Sequence, residues 1–150
     1  MASEPSLEVR AARAGDLPAI LRILDTLGYP SSQDLEMERA FAEITSRADM
    51  GVLVAVRGAE VLGLLSYSHK PQLRFKGLRS FEIDELGVLP EARGLGIGRL
   101  LLKRARELAT TLPAKRIVLT TNRLRESYRR SFYTKNGFTE ADSAFMRFDL

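Results

Sequence analysis

The sequence predicts an α+β domain, a mixed sheet carrying helices on both of its faces. Three observations point there. Apolar spacing changes along the chain in the order strand, two helices, three strands, helix, strand, helix, two strands. Two apolar runs, 51–56 and 61–68, flank Arg57-Gly58-Ala59-Glu60, which reads as a β-hairpin with a short turn. Residues 85–106, ELGVLPEARGLGIGRLLLKRAR, pass from an apolar strand through a glycine-rich turn into an amphipathic helix.

Each element has its own reason. Residues 7–12 alternate enough for a strand. Asp16 precedes Leu17 and Pro18, an N-cap followed by proline in the first turn. Leu17, Ile20, Leu21, Leu24 and Leu27 recur at helical spacing, and Gly28 stops that helix. Tyr29-Pro30 breaks the chain. Ser31 or Ser32 then starts a second helix to about Arg47, with Leu35, Met37, Ala40, Phe41 and Ile44 as its apolar set. Residues 69–78 are polar and basic, contain Pro71 and Gly77, and read as a loop. Residues 80–89 form the next strand, ended by Pro90. Residues 98–110 form a helix with Leu101, Ala105 and Leu108 facing the core. Residues 116–121 read as a buried strand and 126–136 as a helix closed by Gly137. Residues 138–141 and 144–149 read as two short final strands.

A length of 150 residues fits a single domain, 1–150, able to bury a core without staples. Apolar residues at 45% and charged residues at 28% match a soluble globular protein. With no cysteine, disulfides, a thiol nucleophile and thiolate metal ligands are excluded. The single histidine, His69, excludes a histidine cluster, so no metal is expected; it reads as a surface residue at a strand end. No apolar run reaches the length of a membrane span, and MASEPSLEVR has neither part of a signal peptide. A cytoplasmic protein with no membrane partner is expected. The net charge of +4 favours capture of an anionic ligand. Arg123, Arg125, Arg129 and Arg130 form the densest basic run. A solvated helix face explains it best, ahead of a phosphate-facing cluster and of nucleic acid, for which no motif is present.

The glycine turn narrows the function. Backbone N–H groups at a helix N-terminus lack intrahelical partners, and the helix dipole adds partial positive charge. Glycine permits close backbone approach, and Arg93 adds planar donors suited to phosphate. A ligand carrying a pyrophosphate is implied. The glycines at 94, 96 and 98 alternate strictly, with no G-x-G-x-x-G spacing and no Lys-Ser/Thr behind them, so both common nucleotide loops lose ground.

The pattern Arg93-x-x-Gly96-x-Gly98 after an apolar strand resembles the acetyl-CoA-binding motif of the Gcn5-related N-acetyltransferases, the GNAT superfamily. Residues 127–138, SYRRSFYTKNGF, resemble that family's second cofactor motif, with an aromatic-Tyr pair, a basic residue and Gly-Phe. The resemblance spans essentially the whole chain. It implies a mixed, mostly antiparallel sheet splayed after the fourth strand, with the acetyl-pantetheine arm entering the gap. It implies acetyl-CoA as donor, held by Leu86, Gly87, Val88 and Leu89 of the strand and by Arg93, Gly94, Leu95, Gly96, Ile97, Gly98 and Arg99 of the turn, with Tyr133. The second motif departs from the family's commonest pattern: Glu126, Arg129 and Arg130 stand where an asparagine and an alanine are usual, so no asparagine contact is assigned.

The implied reaction moves an acetyl group from a thioester directly to an amine. Resemblance gives the oxyanion to backbone N–H at Val88, with Leu89, where a bulge would free it from the ladder. It gives the general acid to Tyr133, a phenol neutral at pH 7, with Phe132 beside it in the core. For the base, Glu82 comes first and Asp84 second. Strand alternation puts Glu82, Asp84 and Leu86 on one face, and Phe81 and Glu85 on the other. The segment Leu27-Gly28-Tyr29-Pro30 resembles a subgroup's acceptor side. Asp34, Glu36 and Glu38 behind it read first as ordinary complementation of a helix dipole. The acceptor class stays open between a small-molecule amine and a protein or peptide amine, and a homodimer fits the resemblance. Competing readings are a non-catalytic CoA-binding regulatory domain of the same fold and a basic nucleic-acid-binding module.

Overall fold

The computed structural model describes residues 3–150. The backbone groups into two compact units, Met1–Val118 and Leu119–Leu150. Among the described residues no helix is long and apolar enough to cross a membrane.

The sheet consists of β1 (Leu7–Ala11), β2 (Met50–Arg57), β3 (Glu60–Pro71), β4 (Arg79–Val88) and β5 (Ala114–Leu119), in that spatial order. The β1–β2, β2–β3 and β3–β4 pairs are antiparallel. The crossover helix α3 (Ile97–Thr111) returns the chain so that β5 lies parallel to β4. The two are tied at their starts, where Arg79 N–H donates to the Pro113 carbonyl at 3.1 Å. The mixed, mostly antiparallel α+β class is as expected. The β5 strand sits two residues earlier than 116–121, and its Lys115 and Arg116 are exposed, so it is not the buried strand read from the sequence.

Helix α1 (Leu17–Thr26) buries Leu17, Ile20, Leu21 and Ile23. Its end follows the glycine signal: Gly28 has φ 88, Gly28 N–H donates to Asp25 and Tyr29 N–H to Leu24, a Schellman closure. Asp16 sits at the N-cap but its carboxylate does not cap α1. It takes the Arg10 guanidinium at 2.7 and 3.0 Å and the Arg13 N–H at 2.7 Å. The hydrogen bond from Arg10 leads the causes that hold its carboxyl below the usual range. Helix α2 (Leu35–Ser46) starts later than Ser31 or Ser32 predicts. Asp34 caps it, with Oδ1 accepting from Met37 N–H at 2.9 Å. Only Phe41 of its expected apolar set is buried, and Leu35 is 60% exposed.

The register of β3 against β4 decides which side chain faces which helix. Gly63 pairs with Val88 and Leu64 with Gly87, so Gly63 and Gly87 lie on opposite faces. A Cβ at Gly63 would stand 2.9 Å from Ile97 Cγ2 and 3.1 Å from the Gly87 carbonyl oxygen, so α3 lies directly on that face. A Cβ at Gly87 would stand 2.7 Å from Ile23 Cγ2 and 2.9 Å from Leu27 Cδ1, so α1 lies on the other. The α3 helix buries Ile97, Leu101, Leu102, Ala105 and Ala109; Leu108, expected inside, is only half-buried.

On the α3 face, Tyr67, His69 and Phe81 stack, with Tyr67 and Phe81 centroids 4.9 Å apart. The Tyr67 ring also lies across its pairing partner Gly51, where a Cβ would come within 2.6 Å of its hydroxyl oxygen. The β3 strand therefore runs through His69 to Pro71, into the segment read as a loop, and His69 N–H donates to the Asp49 carbonyl at 2.8 Å. His69 is buried at 6% exposure rather than on the surface. An arginine can only donate, so the Arg79 contact to Nδ1 at 3.1 Å fixes that nitrogen as acceptor. Burial, then the Arg79 charge, pushes the imidazole pKa down.

In the second unit, the helix expected over 126–136 is broken into α4 (Glu126–Arg129) and α5 (Phe132–Lys135). Ser131 stands between them with φ 58, left-handed backbone that no continuous helix accommodates. Gly137, φ 90, closes α5 as expected, with Phe138 N–H on Tyr133 and Gly137 N–H on Thr134. The two final strands do not form: residues 138–150 have no regular structure, and Phe145, Met146 and Phe148 are 72%, 85% and 88% exposed. Instead Glu140 is held by Arg123 at 2.8 Å and by the Tyr128 hydroxyl at 2.9 Å. That accounts for part of the basic run as ion pairing at an exposed surface, joined by Arg130–Glu126 at 3.9 Å.

The packing at Gly63 sets an expected outcome. Gly63→Ala adds one methyl against Ile97 and a fixed backbone carbonyl, and should destabilise the fold by about 1–3 kcal/mol. A chemical-denaturation midpoint equal to that of the parent chain would show that α3 has room to move off the sheet.

Candidate active site

The turn from β4 to α3 is short and ordered. Leu89 N–H donates to Leu62 at 2.9 Å, Pro90–Ala92 form one 3-10 turn, and Arg93 N–H returns to Pro90 at 3.3 Å. Gly94 and Gly96 follow with φ 81 and 79, left-handed conformations that strain any other L-residue. A Cβ at either would have nothing within 4 Å, so the space over the turn is open. Gly96 is the N-cap of α3, and Ile97, 1% exposed, anchors the helix start beneath it. No side chain caps this end and its first turn contains no acid. Arg93 and Arg99 instead add positive charge where the dipole is already positive, the reverse of ordinary helix complementation. Leu95, 53% exposed, completes the turn, and Gly98 lies in the first turn of α3.

Upstream, the Leu89 bond to Leu62 makes the Val88–Gly63 pair a non-hydrogen-bonded one. The Val88 N–H and carbonyl therefore point away from β3, and Arg93 Nε reaches that carbonyl at 3.4 Å. No bulge is needed there. The bulge lies four residues earlier. Tyr67 pairs with Ile83 and Ser66 with Glu85, which leaves Asp84 as the extra residue. Glu85 N–H donates to the Ser66 hydroxyl at 3.0 Å instead of to a carbonyl.

This bulge corrects the face assignment. Glu82 pairs with Ser68 and Glu85 with Ser66, so Glu82, Asp84 and Glu85 share the α1 side of the sheet. Leu86 pairs with Leu65 and turns to the α3 side. Glu85, expected on the opposite face with Phe81, joins the two expected carboxylates. Glu82 and Asp84 are exposed, while Glu85 is half-buried. Burial, then the neighbouring Asp84 charge, pushes the Glu85 carboxyl up. Burial also raises Asp84, opposed by the Ser68 hydroxyl at 3.4 Å and reinforced by Glu82. Among the described residues no group of three His, Cys, Asp or Glu side chains could hold a metal ion.

In the second unit, Tyr133 is half-buried, edge-on to Phe132 at 5.1 Å and to Phe138 at 6.0 Å. Burial raises its phenol pKa, with Arg125 and Thr121 pulling the other way. It is therefore a protonated donor at neutral pH. Phe132, expected in the core, is half-buried as well. Asn122 spends its side-chain oxygen on Leu124 N–H at 2.8 Å, a local turn.

Residues 17–138 match the profile of the Acetyltransferase (GNAT) family. An uncharacterized N-acetyltransferase of Archaeoglobus fulgidus is 31% identical over 144 residues, covering 91% of this chain and 96% of that protein. The aminoalkylphosphonate N-acetyltransferase of Salmonella typhimurium is 29% identical over 148 residues, covering 95% and 92%. A crystal structure from Bacillus halodurans C-125, described as a transcriptional regulator, aligns with a TM-score of 0.87 at 30% identity, covering 97% of this chain and all of that one. The turn, the sheet and these likenesses agree: the chain belongs to the GNAT family of acetyltransferases.

Proposed function

We propose that this chain, acting as one catalytic domain, transfers an acetyl group from acetyl-CoA directly to a primary amine. One observation carries the reading. Gly94 and Gly96, both left-handed under open space, start a 15-residue helix with no capping side chain and with Arg93 and Arg99 at its mouth. That donor set fits a pyrophosphate. Leu86, Gly87, Val88 and Leu89 would line the path of the thioester arm. Acetyl-CoA, when bound, supplies an already activated acyl thioester, so no covalent enzyme intermediate is required.

Three tasks fall to the protein. The Val88 N–H, turned away from β3, offers a hydrogen bond to the acyl oxygen. The Tyr133 phenol, kept protonated by burial, donates to the departing sulfur. A carboxylate of the β4 face takes the amine proton, Glu82 first and Asp84 second. On that face burial raises Asp84 and Glu85 above their usual range, so Asp84 serving as the base would be the stronger base while ionised and would cost activity as pH falls through its raised value. The name of the Salmonella relative supports a small-molecule amine as acceptor.

Three outcomes test the reading by thiol release and calorimetry. Gly96→Val should weaken CoA binding by well over tenfold, about 1.4 kcal/mol or more, because a β-branched residue neither takes φ 79 nor allows close approach. Unchanged affinity in a folded variant would remove the turn from the donor site. Tyr133→Phe should keep CoA affinity and lower turnover by about 10²–10⁴-fold. Full turnover with chemistry rate-limiting would leave Tyr133 a packing residue. Glu82→Gln should lose its rate at neutral pH and recover in part at high pH, where free amine needs no base; an unchanged profile moves the role to Asp84.

A further inference from the structure

Away from the glycine turn and the β4 carboxylates, the first unit carries a basic surface that no carboxylate neutralises. Its centre is the basic segment 69–78. In the structure this is the tip of the β3–β4 hairpin, closed over a 3-10 turn, Leu73–Phe75. The tip is ordered from within. Gln72 N–H donates to Leu78 at 3.1 Å, Gly77 N–H to Gln72 at 3.0 Å and Lys76 N–H to Leu73 at 3.0 Å. Lys76 has φ 54, a left-handed position that glycine or asparagine ordinarily takes. The start of β5 lies alongside, tied by the Arg79–Pro113 bond, and brings Lys115 and Arg116.

The charge here is one-sided. No Asp or Glu occurs over residues 61–81 or 108–125. Arg74, Lys76, Lys115 and Arg116 are exposed, and among the described residues none of the four forms a salt bridge. Arginines elsewhere, such as Arg47, Arg104 and Arg123, sit on carboxylates. Phe75 gathers two of the cations, with the Arg74 and Arg116 guanidinium carbons 4.8 and 4.7 Å from its ring centroid. Two like charges are thus held on one ring with no anion between them, an arrangement that an outside anion relieves. Beside them two leucines face solvent, Leu73 at 101% exposure and Leu78 at 42%. An apolar side chain adds nothing to the capture of a phosphate backbone, and Phe75 spends its ring on guanidiniums instead of a base. Cations around projecting leucines match a layer with negative charge outside and hydrocarbon beneath. From Arg79 at this tip to Val88 below the glycine turn, β4 spans about 30 Å of extended chain, so the surface is separate from the proposed transfer site.

We propose that the β3–β4 hairpin tip is a peripheral docking surface for an anionic lipid layer. Leu73 enters the layer, and Arg74, Lys76, Lys115 and Arg116 hold its headgroups. The missing membrane span and signal peptide, on which the expectation of no membrane partner rests, bear on spanning and export and not on attachment to a surface. The proposal is independent of the acetyl-transfer reading. Its test is co-sedimentation of the full chain with vesicles of phosphatidylcholine alone and of equimolar phosphatidylcholine and phosphatidylserine. The chain should pellet with the mixed vesicles only, and high salt should release it. Leu73→Ser, a change at a fully exposed position, should lower partitioning about tenfold. Arg74→Ser combined with Lys76→Asn, which keeps a residue at ease in left-handed backbone, should lower it about tenfold or more. Both variants should keep the denaturation midpoint of the parent chain. Failure of the parent to pellet with mixed vesicles overturns the proposal, as does equal pelleting with phosphatidylcholine alone. Full partitioning of Leu73→Ser also overturns it, and tighter binding of single-stranded RNA or duplex DNA than of the mixed vesicles then makes the surface a nucleic-acid one.

Discussion

Helices α1 and α3 grip the sheet from opposite sides at two glycines in consecutive rungs of the β3–β4 ladder, Gly63 opposite Val88 and Leu64 opposite Gly87. The missing side chains let Ile97 come down on one face and Ile23 on the other. This double contact fixes both helices on one short stretch of the ladder. Ile97 is the first residue of α3, so seating it over Gly63 sets where the glycine turn lies above the end of β4. Ile23 belongs to α1, so seating it at Gly87 ties that helix to the same strand. Overpacked cores lose stability because no void is available to absorb added atoms, and here the contacts include backbone that cannot rotate away.

A second constraint acts along β4. One extra residue, Asp84, changes the phase of the strand midway. Before it, the buried side chains are Phe81 and Ile83; after it, Leu86 and Val88 take that side. The bulge thereby gathers three carboxylates on one face without interrupting the core on the other. Burial, and after it the charge of a neighbouring carboxylate, raises both Asp84 and Glu85. The Ser66 hydroxyl, by taking the Glu85 N–H, satisfies a donor that the bulge removed from the ladder.

What was legible in the sequence was whatever depends on local backbone chemistry. Gly28 and Gly137 end helices because a left-handed residue closes them, and Gly96 opens α3 for the same conformational reason. The hairpin and the order of strands followed from apolar runs and the turn between them. The bulge at Asp84 left no trace, since a strand with one inserted residue has the same composition as one without, and its consequence was the wrong face for Glu85 and Leu86. His69 was misread because its burial depends on rings from two strands that meet only in the fold. The break at Ser131 and the absence of the last two strands reflect a similar limit. Alternation in residues 144–149 states a preference for an extended chain, but pairing requires a neighbour that alternation does not specify.

The Gly51–Tyr67 pair also constrains which substitutions the sheet can accept, and in what order. The Tyr67 ring, held by its stack on Phe81, fills the position that a side chain at Gly51 would occupy. A lineage that replaces Gly51 first meets an obstruction, whereas one that first trades the ring at Tyr67 for a smaller group frees Gly51 to become any strand-forming residue. The two positions are thus coupled, and a single aromatic ring sets the order in which they can be substituted without a clash.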